Sequence, residues 1–356
     1  MGKKAIVAMS GGVDSSVAAY LMQKAGYDVS GAIMKLFDTE DKASKGELRG
    51  TDNIEDAGKV AKNLGIELGV FDMRQEFKDT VIDRFVEEYE SGRTPNPCVF
   101  CNKRLKFEEL YNIASGGEDA VIATGHYAVI EYDESDGRYK LRKAADSGKD
   151  QSYFLYTLSQ EQLSRTKFPL GGMNKSEVRK IAEEQGFVTA KKKESQDICF
   201  IPGGDYAEFI HGYTGKEYEA GVFVDEDGNV MGTHKGIINY TIGQRKGLGL
   251  ALKKPAYVLE LDTEVNKVIL GDNEELFKRE LTARDFNWLS VAPPSGPFRA
   301  SARIRYRHRE APCEIIPLDE RKRVKIVFDE PQRAITRGQS VVLYDEDYVL
   351  GGGIIE

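Results

Sequence analysis

Apolar positions near the amino end fall into a strand, a glycine turn and a helix. Residues 5–9 form an unbroken apolar run, and Val13, Val17 and Leu21 follow at a spacing that shares one helical face. A second strand is expected over 29–36. The charged, glycine-containing stretch 39–53 reads as a loop. Ala57, Val60, Ala61 and Leu64 mark a helix over 54–64, stopped by Gly65. A short strand over 67–72 and a helix carrying Phe77, Val81 and Phe85 come next, then a buried strand over 120–124 followed by Gly125 and His126. Strands alternating with helices predict an α/β domain, a doubly wound parallel sheet covered on both faces. Such sheets bind ligands beyond the carboxyl ends of their strands. That places Ser10 to Ser15, Met34 and Gly125 on one rim.

The pattern then changes. Residues 127–140 read as a hairpin turned at Ser135, Asp136 and Gly137. Residues 152–185 carry a helical pattern, with Asn174 and Glu177 spaced as a capping box. The charged stretch 191–194 leads into S-Q-D-I-C-F-I-P at 195–202. From 222 to 270, β-branched runs, many glycines and a turn at Asp227 and Gly228 predict strands. After a proline cluster at 293–297, strand-like runs at 299–307, 323–328 and 340–344 suggest a small β-barrel. The expected organisation is a catalytic domain over 1–200, a small central β-rich domain over 201–280 and a C-terminal barrel over 281–356.

At 356 residues and 40% hydrophobic, the chain can fill more than one core. It shows no signal-peptide h-region and no apolar run long enough to cross a bilayer, so a cytoplasmic protein without membrane contact is expected. The net charge of −8 argues against wholesale coating of nucleic acid, yet leaves room for a local basic face. Arg299, Arg303, Arg305, Arg307 and Arg309 alternate and tend to one face of a strand. That face is either merely solvated or, with Tyr306 and His308 among the arginines, a nucleic-acid contact.

Two constellations carry chemistry. In A-M-S-G-G-V-D-S-S at 8–16, Gly11 and Gly12 admit a ligand close to the backbone, and the helix start with its free N–H groups seats an anion. Asp14 sits where phosphates would lie, which suggests a metal-bridged polyphosphate. The Gly-Lys-Ser/Thr ending of a Walker A loop is absent. In T-P-N-P-C-V-F-C-N at 94–102, Cys98 and Cys101 stand near a helix start beside Lys103 and Arg104, an arrangement expected to depress thiol pKa values. One C-x-x-C supplies two zinc ligands where about four are needed, and no second pair completes a site. Redox or nucleophilic work is the reading these cysteines favour, with Cys199 as a third thiol. Cys313, in an apolar run, reads as a small buried hydrophobe. His126 reads equally as a core histidine or a functional one.

The 8–16 stretch resembles the S-G-G-x-D-S loop of the ATP pyrophosphatases, the PP-loop enzymes. Together with R-T-P-N-P-C-V-F-C-N, A-T-G-H-Y, K-D-Q-S-Y-F-L, S-Q-D-I-C-F-I-P, R-I-R-Y and R-G-Q-S, it makes the whole chain resemble the tRNA-specific 2-thiouridylases, the MnmA family. That resemblance implies ATP-dependent 2-thiolation of a tRNA wobble uridine, with ATP and Mg2+ as cofactors. Partners would be tRNA and a persulfide-donating sulfur carrier or cysteine desulfurase. By resemblance, Ala8, Met9, Ser10, Gly11, Gly12, Val13, Asp14, Ser15, Met34 and Gly125 contact ATP. Cys101 and Cys199 are catalytic, with Cys199 carrying a persulfide and a disulfide forming between them. Asn96, Pro97 and Cys98 lie by the target base. His126, Lys149, Asp150, Gln151, Arg305, Tyr306 and Gln339 contact tRNA. Many relatives have Asp where this chain has Cys98, so an iron–sulfur cluster on Cys98, Cys101 and Cys199 stands as an alternative to the persulfide. Two rivals remain: a non-thiolating PP-loop enzyme, which needs no paired cysteines, and a nucleotide-gated RNA-binding module without catalysis.

Overall fold

A computed structural model describes residues 2–37, 50–192, 198–201, 203–252, 254–318 and 322–356. Most of the loop expected at 39–53, and residues 193–197 and 202 around Cys199, lie outside them.

The expected strands form at β1 (Lys4–Ala8), β2 (Asp28–Lys35), β3 (Leu68–Asp72) and β4 (Ala120–Thr124). After the hairpin β5 (Val129–Asp133) and β6 (Arg138–Arg142), a short β7 (Thr166–Lys167) completes a parallel sheet in the order β3-β2-β1-β4-β7. Chain order reverses between β1 and β4, whose last residues, Ala8 and Thr124, pair in register. The crevice at that switch point is where such a sheet binds ligands.

From Ala5 onward β1 is apolar because both its faces are covered. Ala5 and Val7 pack against Val13 and Val17 of helix α1 (Val13–Lys24) and against Val178. Ile6 points the other way, into a cluster with Phe77, Phe85 and Leu105. The helix with Phe77, Val81 and Phe85 widens to π-helical geometry over Lys78–Ile82 before continuing as Asp83–Glu90. The cysteine segment does the same: Pro97–Phe100 is α-helical and Cys101–Glu109 is π-helical.

Two expectations need correction, and the expected hairpin gains a partner. The helical pattern over 152–185 breaks into Ser152–Phe154, Gln160–Ser164, β7 and Lys175–Glu184, because its apolar positions serve different cores. The capping interaction is real there, since Glu177 accepts from the Asn174 N–H at 2.7 Å. The strand expected over 299–307 ends at Arg303, so Arg305, Tyr306 and Arg307 sit in a turn and not on alternating strand positions. The hairpin β5–β6 pairs with the last strand of the chain through Arg142 and Leu141, which joins the first domain to the last.

The middle of the chain forms a four-stranded sheet, β8 (Gly221–Val224), β9 (Val230–His234), β10 (Tyr257–Asp262) and β11 (Lys267–Gly271), in the order β10-β11-β8-β9. Six further strands follow: β12 (Phe277–Trp288), β13 (Phe298–Arg303), β14 (Ala311–Pro317), β15 (Val324–Arg333), β16 (Ser340–Asp345) and β17 (Tyr348–Ile355). Pairing of β12 with β17 closes them into a barrel. β12 begins just before residue 281. Among the described residues, no helix is long and apolar enough to cross a membrane.

Candidate active site

The turn after β1 is built around its glycines. Gly11 has φ +67°, and a Cβ there would fall 2.3 Å from the Asn53 carbonyl oxygen. Ser15 Oγ accepts from the Ser10 N–H at 3.0 Å and approaches the Gly12 carbonyl at 3.1 Å, which fixes the loop to the helix start. Ser16 Oγ donates to the same carbonyl at 2.9 Å, and Thr189 donates to Ser16 at 3.0 Å. Gly125, across the switch point, lies against this turn: a Cβ on it would stand 2.7 Å from the Ser15 nitrogen. Met34, near the end of β2, is half-buried. The residues expected around ATP thus share one rim of the sheet.

Two lysines that sequence reasoning did not single out complete the turn. Lys175 Nζ lies 2.7 Å from both carboxylate oxygens of Asp14, and Tyr127 donates its hydroxyl to Asp14 at 2.7 Å. Asp14, expected to meet a phosphate-bound metal, is here a paired carboxylate. Lys192 Nζ donates to the Gly11 carbonyl at 2.9 Å, to Asn53 at 2.9 Å and to Asp56 at 2.6 Å. Only the capping box ahead of Lys175 hinted that a helix start, where a side chain can face a loop, lies there.

The cysteines lie on the other side of the sheet's rim. Asn96 ends the extended lead-in with φ −113°, and Pro97 opens the helix. Cys101 is buried in the Phe77–Phe85 cluster, and Cys98 is exposed. Phe200 brings the third thiol to them. Its ring meets Phe77 at 5.6 Å and Phe85 at 5.3 Å, so Cys199 is anchored beside the cluster that holds Cys101.

The expected depression of the thiol pKa values is overturned. Burial pushes Cys98 and Cys101 upward, and it pushes Cys199 up to about 12, with Cys101 and Cys98 adding to the rise. Cys98 and Cys199 do expose surface, but the protein packed behind them removes enough water to disfavour the anion. The cation that opposes this at all three thiols is Lys106, not Lys103 or Arg104. Arg104 is paired with Glu108 at 3.2 Å. Cys101 and Lys106 are five residues apart in a π-helical stretch, the span of its i→i+5 hydrogen bonds, so Lys106 follows Cys101 by roughly one turn. All four cysteines are free. Cys313 is buried in β14 as expected, its thiol approaching the Ala300 carbonyl.

No three His, Cys, Asp or Glu side chains among the described residues converge as a metal-ligand set. The three thiols as arranged do not fit an iron–sulfur cluster.

The residues expected to contact tRNA divide. His126 shares a 2.7 Å hydrogen bond with Thr124 and packs against Phe107 and Phe168, and burial holds its pKa well below the usual value. Asp150 is buried, accepting from the Ala144 and Ser152 N–H groups. Gln151 accepts from the Tyr127 N–H at 3.0 Å, and Lys149 is half-buried. Tyr306 packs on Phe154 with centroids 4.4 Å apart, and Asn102, next to Cys101, donates to the Phe154 carbonyl. Arg305 turns inward: its guanidinium donates to the Ile242 and Ala334 carbonyls and to Thr336. Gln339 donates to the Thr94 carbonyl at 2.7 Å, fastening the barrel to the lead-in of the cysteine helix. Arg305 and Gln339 thus spend these groups on positioning other segments.

Residues 3–203 match the family model described as tRNA methyl transferase HUP domain, more than half of the chain. Residues 207–272 match a tRNA methyl transferase PRC-barrel domain and 278–355 an aminomethyltransferase beta-barrel domain. The chain is 50% identical to a tRNA-specific 2-thiouridylase MnmA of Clostridioides difficile, over 100% of this chain and 99% of that one. It is 49% identical to the protein of the same name from Acetivibrio thermocellus, over 99% of each.

Proposed function

The chain belongs to the tRNA-specific 2-thiouridylase family, and from that premise we propose that it uses ATP to replace the C2 oxygen of the wobble uridine of tRNA with sulfur. One observation carries the reading: two sequence-distant cysteines, Cys101 and Cys199, are brought near each other beside a sheet whose switch point bears the Ser10–Ser15 turn. Neither a non-thiolating PP-loop enzyme nor a passive RNA-binding module has use for that proximity. ATP seats its phosphates on the turn, with Gly11 and Gly12 clearing the approach. Mg2+ arrives with the nucleotide.

The C2 oxygen of uridine attacks the α-phosphate of ATP, pyrophosphate leaves, and the base becomes an adenylate with AMP as a good leaving group. A persulfide on Cys199 attacks C2 through its terminal sulfur, and AMP departs. The Cys101 thiolate then attacks Cys199 Sγ. The S–S bond of the persulfide breaks, the terminal sulfur stays on C2, and a Cys101–Cys199 disulfide remains. An external dithiol reduces that disulfide, and a sulfur carrier or cysteine desulfurase reloads Cys199. Because burial disfavours the thiolates, the charge of Lys106 supports their formation. Cys98 lies beside the base and takes no part in the exchange.

Mass spectrometry of bulk tRNA from a strain lacking this gene tests the reading. Loss of 2-thiouridine, restored by the wild-type gene and not by Cys199→Ala, is the expected result. Unchanged 2-thiouridine in the deletion strain overturns it.

A further inference from the structure

The stretch T-I-G-Q-R-K-G-L-G-L-A-L-K-K-P-A at 241–256 holds four cations and no carboxylate, in a chain whose net charge is −8. Such a run is usually a solvated surface. Here the loop is built instead of loose. At its start the Gly243 N–H donates to the Val258 carbonyl at 2.8 Å, and the Val258 N–H returns to Gln244 at 2.9 Å. The Gln244 side chain accepts from the Thr241 N–H and donates to the Lys246 carbonyl. Leu248 is buried and pins the middle. Arg305 holds the Ile242 carbonyl from the C-terminal domain.

Between these ties the loop borders an open hollow of about 380 Å³, lined in part by Arg245, Gly247, Leu248, Gly249, Leu250 and Lys254. Gly247 and Gly249 are exposed, with φ +79° and +71°, so the wall there is bare main chain. Nothing stands within 4 Å of where a Cβ on Gly249 would be. The side chains of Arg245, Lys246 and Lys254 are exposed and have no hydrogen-bond or ion-pair partner among the described residues. Elsewhere on this surface cations are commonly paired, as Arg299 is with Asp329 and Arg323 with Glu356. A concave wall with exposed main chain and unpaired cations suits an extended polyanion.

We propose that this loop of the middle domain is a docking site for the phosphodiester backbone of the tRNA, and that Arg305 serves RNA binding by positioning it. The inference rests on the functional reading above and adds to it a contact remote in sequence from the cysteines and the Ser10–Ser15 turn. It also accounts for the inward turn of Arg305, which a direct RNA contact does not.

The test uses the full chain with Arg245→Gln, Lys246→Gln and Lys254→Gln combined, and a second variant, Arg245→Lys with Lys246→Arg, that keeps the charge. Binding of unmodified tRNA is measured over about 50–200 mM salt, where each phosphate contact adds roughly 0.7–0.9 to the slope of log affinity against log salt. The slope of the neutralised variant should be smaller by about 2, and its affinity weaker on the order of 10- to 100-fold at low salt. The charge-keeping variant should match wild type, as should the ATP affinity of both and single-turnover thiolation at saturating tRNA. A neutralised variant with wild-type slope and affinity overturns this proposal and leaves the thiolation reading intact. So does one that loses ATP affinity alone, which would assign the loop to nucleotide phosphates. A wild-type protein that binds no tRNA would sink the functional reading, and this one with it.

Discussion

Replacing Lys175 with Met keeps the length of the side chain and removes the ammonium that holds Asp14. The lysine side chain is 11% exposed and the carboxylate 31%, and both carboxylate oxygens lie 2.7 Å from Nζ. A charge-assisted hydrogen bond contributes about 1.5–3 kcal/mol, and Asp14 keeps the Tyr127 hydroxyl and some water. A loss of about 2 kcal/mol is therefore expected. For a domain of this size that lowers Tm by about 4–8 °C. Asp14→Asn removes the partner charge, so the double variant should be less damaged than the sum of the singles, with a coupling near 2 kcal/mol in a double-mutant cycle. ATP binding supplies a second reading. A bare carboxylate about 4 Å from a phosphate charge costs roughly 1 kcal/mol in water and 4 kcal/mol near a protein surface, so Lys175→Met should weaken ATP binding on the order of tenfold or more. The assays are thermal melting of the four proteins and equilibrium binding of a fluorescent ATP analogue. A Tm within about 1 °C of wild type, or additive single variants, would refute the assignment of Asp14 and Lys175 as a working pair.

Other consequences can be checked as directly. Gly125→Ala should abolish pyrophosphate release, because the added methyl would stand 2.7 Å from the Ser15 nitrogen; wild-type turnover would show that this close approach relaxes freely. Burial raises the Cys199 thiol to about 12, so the reactive anion is scarce at neutral pH and grows as pH rises. Iodoacetamide labelling of Cys199 in the resting protein should therefore accelerate through pH 7–10 without levelling off, and a plateau below pH 8 would contradict it. Cys98→Ala should retain single-turnover thiolation, while Cys101→Ala and Cys199→Ala should each lose it; equal loss in all three variants would remove Cys98 from its bystander role.

The sequence by itself determined the N-terminal sheet and the position of its glycine turn. The apolar run before Met9, the glycines after it and the stripe of Val13 and Val17 are local signals, and local periodicity is enough to specify a strand, a turn and a helix. It also determined that β4 runs up to Gly125, and that a β-barrel follows in the last part of the chain. Motif resemblance singled out Cys101 and Cys199 as a pair, and local pattern could not. What joins them is Phe200 docking on Phe77 and Phe85, a contact across much of the chain. Tertiary structure alone decided the charges. Lys103 and Arg104 neighbour the thiols in sequence, yet helical geometry points Arg104 to Glu108 and brings Lys106 into the field of the thiols. Burial, which no short window of sequence reports, reversed the expected direction of the thiol pKa values. The same holds for Arg305. Its arginine-rich surroundings suggested an outward face, but β13 ends at Arg303, and the turn that follows aims the guanidinium at backbone carbonyls from two other segments. Pairing partners of long charged side chains are set by which distant elements pack together, and that is information the chain acquires only on folding.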